Sequence, residues 1–322
     1  MRRATVGGAG AGVAAFQGAS LTLDNSVIAG NARQGVGVTR NSALILTNSA
    51  IMGNGGSGVN VSRSAYALID GNTITGNFGN GVNIEGASAT VTNNTIQGNQ
   101  KKGIEVSSSG NARIGITEGD QGRGNIVENN VYEGINIANS AAAYMANNQI
   151  RLNGRTTGRA GVAINRSTGR LIGDNTIQGN GGHGVSVSLG TLFQGVGDFN
   201  LTPGPDFIAG NGYSGISGWN GASLDIRHVT VTNNTQNGIV LSLRSTLRIY
   251  DSTVSGNAWD GIRLNEGSAA VFQHPAGTQP AIITDNAGYG VFCGGQEASY
   301  SGDTSGVTRN GSKNVSPSCT GF

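Results

Sequence analysis

The sequence predicts an all-β chain wound as a single-stranded parallel β-helix, a solenoid of about 12 coils with 22–23 residues in most of them. Three observations predict it. The stretch NTITGNFGNGVNI at 72–84 returns as NTIQGNQKKGIEV at 94–106 and NTIQGNGGHGVSV at 175–187. Ile or Val stands three residues before each of Asn31, Asn54, Asn77, Asn99, Asn130, Asn153, Asn180, Asn211, Asn234, Asn257 and Asn286, at intervals of 23, 23, 22, 31, 23, 27, 31, 23, 23 and 29. The intervals hold only short alternating stretches such as NTI, GVNV and SATV, and none has a helical period.

Each coil can be read in order. Ile96 opens it and fills the shaft. Asn99 takes the bend, where asparagine tolerates the left-handed region and its amide can bond the next coil. The eleven Asn then form a ladder. Gly103 lets the chain turn back into strand, and Ile104 and Val106 point inward again because side chains alternate along a strand. Gly161-Val162 breaks the Asn-to-Gly spacing, displaced by the insert GRTTGR. Longer inserts fall at ITEGDQGRG (116–124), GVGDFNLTPGP (195–205) and HPAGTQP (274–280), and such loops could wall a groove.

The helix accounts for residues 1–300, followed by a polar tail at 301–322 that would cover the last coil. Gly12-Val13 is already in register, so the chain begins in mid-coil; the bottom is open, covered by a partner, or missing from a fragment. Gly supplies 56 residues, Pro 5 and aromatics 5%, so the core must be stacked aliphatics. A net charge of +2 without a long Lys/Arg run argues against nucleic acid, and no apolar run is long enough to span a membrane. The Gly/Ala-rich start makes a poor signal peptide. The count of two cysteines fits a staple or two buried thiols. Position separates these: Cys293 matches the inward Leu264 and Leu241, and a returning tail would bring Cys319 to it as a disulfide.

The Ile-x-x-Asn and Gly-Val repeat resembles the right-handed parallel β-helix of the pectate-lyase-like superfamily, over about residues 12–300. The resemblance implies the right hand, an extracellular or cell-envelope setting, and polysaccharide as the partner. It also implies that function lies on the outer face of the Gly-Val strands. That column reads Asn60, Asn83, Glu105 and Asn136 in its lower half and Arg263 higher up, with Glu85 and Trp219 one step along and Lys102, Glu133, His183 and Asp260 just before the glycines.

Three sites compete. Gly-His-Gly around His183 resembles a polygalacturonase motif, but the Asn-Thr-Asp and Asp-Asp elements are absent, and inverting hydrolysis needs two carboxylates. Asn60, Asn83, Glu85, Glu105 and Asn136 form a substrate-binding file. By resemblance to lyases of similar fold, Asn83, Glu85 and Glu105 are candidate Ca²⁺ ligands, and Lys102 and Glu105 candidate catalytic groups. The plainer reading is a solvated face with Lys102 and Glu133 paired across one coil step. Trp219, with Tyr213, Asp260 and Arg263, could form a sugar platform. The function expected is binding of a polysaccharide, with lyase or epimerase chemistry as an extension. A non-catalytic structural or adhesive solenoid is the alternative, and a fragment of a larger secreted protein the third reading.

Overall fold

The computed structural model describes residues 4–8, 10–117, 119, 122–194, 204–295 and 297–321. Among them the chain forms three parallel sheets of 13, 12 and 13 strands, in which every third strand of the chain is a neighbour. One coil therefore contributes one strand to each sheet. The first sheet carries the Ile-x-x-Asn strands, such as Thr95–Gln97; the second carries the Gly-Val strands, such as Ile104–Ser107; the third carries strands such as Asn111–Ile114. Like residues stack on like: Ile74 on Ile96, Val82 on Ile104, Ala89 on Ala112. The shaft is dry and aliphatic, with Ile28, Ile51, Ile74, Ile96 and their partners fully buried. Among the described residues no helix is long and apolar enough to cross a membrane.

The asparagine ladder is present and continuous. Each Nδ2 donates to the next Oδ1, for example Asn77 to Asn99 at 3.0 Å and Asn99 to Asn130 at 2.9 Å, and the series extends to Asn310. Two details differ from the reading above. The left-handed residue at this bend is Gly98 (φ 62°), not Asn99, whose side chain can then reach both the next amide and the carbonyl of Ile74. Gly103 is required by closeness rather than by φ: a Cβ there would lie 2.4 Å from Val127 Cγ1 and 2.6 Å from the Gly134 carbonyl oxygen.

A second buried ladder, two residues before each Ile, escaped the sequence reading. Asn72, Asn94, Asn125, Asn148 and Asn175 bond in series at 2.9–3.0 Å, ending on Asp206 at 2.7 Å.

Beyond residue 300 the tail continues the coil. Val307–Thr308 pairs in the first sheet, Val315 bridges to Val291, and Thr320–Gly321 pairs with Ser299 and Tyr300. Cys293 and Cys319 are joined, with Cα atoms 4.9 Å apart. Closing that loop stabilises the fold by about 3 kcal/mol in the chain-entropy account. Reduction should therefore lower the unfolding midpoint, and intact-mass analysis of oxidised protein should find no free thiol. Two free thiols would contradict the pairing.

Candidate functional site

The outward file exists because the Gly-Val strands are in register: Asn60 lies beside Asn83, Asn83 beside Glu105, and Glu105 beside Asn136. The four side chains are bonded to one another and to their neighbours. Asn83 donates to Asn60 at 2.8 Å. Asn80, buried at the bend, donates to Glu105 at 2.7 Å and to Asn83 at 3.2 Å. Asn136 donates to Glu105 at 3.3 Å. The Lys102 ammonium lies 2.6 Å from the same oxygen, Oε1, while Asn80 holds Oε2. Glu105 is thus the hub of a network over four coils.

This corrects the expected Lys102–Glu133 pair. Lys102 turns to Glu105 in its own coil, while Glu133 faces Arg159 of the next coil at 3.7 Å. The arrangement also tests calcium. Ca²⁺ takes six to eight oxygen ligands. Here both Glu105 oxygens are covered by N–H donors, the Asn83 oxygen accepts from Asn80, and Glu85 stands exposed in the adjacent column. These residues do not fit a calcium site. Among the described residues no three His, Cys, Asp or Glu converge as metal ligands.

The third cluster is divided by the structure. Asp260 and Arg263 pair at 3.0 Å; Asp260 also accepts the Tyr289 amide at 2.8 Å, and Arg263 lies 4.3 Å over the Phe292 ring. Those charges are held in place by their own coils. Trp219, still 43% exposed, instead walls a cleft of about 220 Å³ with Glu133, Asn136 and His183. Asn136 belongs to both the file and the cleft, so the polar row and the tryptophan form one surface. At its lower end, Asn60 and Glu85 line a wider groove with Phe16, Arg33 and Arg63.

His183 supports this cleft rather than a hydrolase. Burial lowers its pKa to about 4, so the ring is neutral at pH 7. Its Nδ1 accepts the Ser214 amide at 3.2 Å, which leaves the proton on Nε2. Its face meets Tyr213 edge-on at 5.3 Å.

The described residues of the inserts at 116–124 and 274–280 lie away from the file. Thr117, Gly119 and Arg123 border Tyr66, Leu68 and Asp70 of the third sheet, and Gln279 and Pro280 lie with His228 and Thr230. Residues 118, 120–121 and 195–203 of the inserts lie outside the described residues. Among the described residues, the small insert at 154–159 reaches the site, because it lies at the bend that leads directly into the Gly-Val strand.

The family described as "Right handed beta helix region" matches residues 1–150, 80–196 and 160–315. The chain belongs to this right-handed β-helix family. The A-module of Azotobacter vinelandii mannuronan C-5 epimerase AlgE6 is similar in fold, at 15% identity over 93% of this chain and 91% of that one, with a TM-score of 0.43. A mutant of the periplasmic alginate epimerase AlgG is 13% identical over 98% of this chain and 77% of that one, at 0.47. PfbA, a surface adhesin of Streptococcus pneumoniae, is 7% identical over 96% and 83%, at 0.36. At these identities the likeness is one of fold. No curated protein matches this β-helix in sequence.

Proposed function

We propose that this β-helix protein binds a polysaccharide laid along the helix axis on the outer face of the Gly-Val sheet. The observation that carries the reading is the continuity of the Asn60–Asn83–Glu105–Asn136 network with the Trp219 cleft. Strand stacking repeats this file every ~4.8 Å, so a linear chain meets a polar group on each coil. The side chains are ordered by one another before any ligand arrives, which lowers the entropy lost on binding. Amide and carboxylate groups suit hydroxyls, and the exposed indole offers an apolar face to a sugar ring.

Lys102 and Glu105 neutralise each other, so binding rather than proton transfer is the reading they support. A setting outside the cytoplasm belongs to the same proposal, supported by the Cys293–Cys319 disulfide.

A glycan array spanning neutral glycans, uronates and glycosaminoglycans should give a polysaccharide hit. Asn83→Ala combined with Glu105→Ala should weaken that hit about tenfold or more, from the loss of two hydrogen-bonding groups. The melting temperature of the variant shows whether it remains folded. Unchanged affinity in a folded variant would reject this face, and an array without any hit would favour a structural or adhesive solenoid.

A further inference from the structure

The one coil that breaks the Asn-to-Gly spacing is the coil that builds the Trp219 cleft. Its extra residues fold into a compact bulge: Thr157 and Gly158 donate to the Gly154 carbonyl at 3.1 and 2.8 Å. Thr157 Oγ1 is bonded to the Val131 carbonyl of the coil below at 2.6 Å. Gly158 takes φ 67°, which a side chain rarely adopts, and a Cβ there would lie 3.3 Å from the Tyr213 hydroxyl. The bulge delivers Arg159 to the rim, with its guanidinium 5.7 Å over the Tyr132 ring. The bulge is tied to both neighbouring coils, by Thr157 to the coil below and by the Gly182 amide donating to the Arg159 carbonyl at 2.8 Å from the coil above.

Inside the cleft stands a carboxylate whose acceptors are left open to a ligand. Glu133 is only 8% exposed, and its one charged neighbour, Arg159, is 3.7 Å away, beyond hydrogen-bond distance. Among the described residues no hydrogen bond reaches this carboxylate. Neither oxygen is shut off from solvent, so the carboxylate keeps its accepting capacity for a partner in the cleft. An ionised carboxylate only accepts, so that partner must bring donors. A ligand carboxylate or sulfate brings none to Glu133; vicinal hydroxyls bring two. The rest of the wall is uncharged at His183, Asn165 and Trp219, and the one cation of the lining, Arg159, is already turned toward Glu133. At about 220 Å³ the space is below the roughly 300–1,000 Å³ of pockets for drug-sized ligands, so it suits one ring rather than a length of chain.

We propose that the cleft is a one-ring subsite for an uncharged pyranose, with Glu133 accepting ring hydroxyls and Trp219 stacking on the sugar face. It deepens the polysaccharide reading above and rests on it: the glycan along the file would seat one neutral residue here.

The test uses the full chain carrying Trp259→Phe, since Trp259 is 51% exposed and is the other of the two tryptophans. Its fluorescence then reports Trp219. Methyl glycosides of neutral hexoses, of hexuronates and of amino sugars are titrated in turn. The expected result is a saturable change with at least one neutral hexoside, weakened about tenfold in Glu133→Gln, as loss of a charged acceptor predicts. Trp219→Ala, followed by ligand-observed NMR, should abolish the same binding; both variants should keep the parent melting temperature. A response confined to hexuronates or amino sugars, no response to any ring, or equal binding by Glu133→Gln would overturn the proposal. The array hit separates the two levels. If it binds and still depends on Asn83 and Glu105 but not on Glu133 or Trp219, the polysaccharide face stands and the subsite alone falls.

Discussion

Replacing Asn99 with leucine should destabilise the protein by about 3–5 kcal/mol, whereas the same change at Asn60 should cost about 1 kcal/mol or less. Asn99 is fully buried. Its Oδ1 accepts from the Asn77 amide at 3.1 Å and from Asn77 Nδ2 at 3.0 Å. Its Nδ2 donates to Asn130 at 2.9 Å and to the Ile74 carbonyl at 3.2 Å. Leucine would match the volume, remove all four bonds and strand their partners in a dry bend. Each stranded group keeps its desolvation cost, although relaxation keeps the sum below four separate penalties. Asn60 sits on the outer face, and the bond it accepts from Asn83 at 2.8 Å can be replaced by water. Unfolding midpoints in urea measure the contrast. Equal shifts would mean that the buried ladder adds nothing beyond the exposed file.

Which residues lie inside and outside was legible because alternation has a period of two, and one slip would turn the whole strand over. That logic located Ile104 and Val106 in the shaft and put Asn60, Asn83, Glu105 and Asn136 in one outward file. Partner choice was less legible. Lys102 is one coil step from Glu133, yet it pairs with Glu105, because the insert supplies Arg159 on the far side of Glu133. The register alone carries no information about an insert's path. The second ladder was obscured for a different reason. Ser26, Ser49 and Ser252 occupy its column in other coils, their hydroxyls accepting from backbone amides as the asparagine Oδ1 atoms do, so the column reads as ordinary turn residues. Its signal was present in the Asn two residues before Ile at Asn72, Asn94 and Asn175. The cleft, finally, was advertised by a broken repeat at GRTTGR, and departures from local consistency tend to mark function.

Gly103→Ala should be the more damaging of two glycine substitutions five residues apart, at about 3 kcal/mol or more, against about 1 kcal/mol for Gly98→Ala. At Gly98 the backbone is left-handed (φ 62°) but the space is open, with the nearest atom, Thr75 Oγ1, at 3.9 Å. Alanine there meets only conformational strain. At Gly103 the strain is absent from φ and lies between coils. The new methyl would fall 2.4 Å from Val127 Cγ1, 2.6 Å from the Gly134 carbonyl and 2.9 Å from Asn130 Nδ2. Val127 and Asn130 cannot both yield, since one is locked in the shaft and the other in the ladder. The coils must part instead. That stretches the Ile104 amide to Gly134 carbonyl bond, now 2.9 Å, and the Asn99–Asn130 rung beside it. Hydrogen exchange should then accelerate at Gly103 and Ile104 while the outer coils keep their protection, because each coil of a solenoid contacts only its neighbours. A Gly98→Ala midpoint as low as that of Gly103→Ala, or exchange unchanged at this junction, would show that the glycine column answers to backbone conformation after all, and that the coils have room the stacking distances deny.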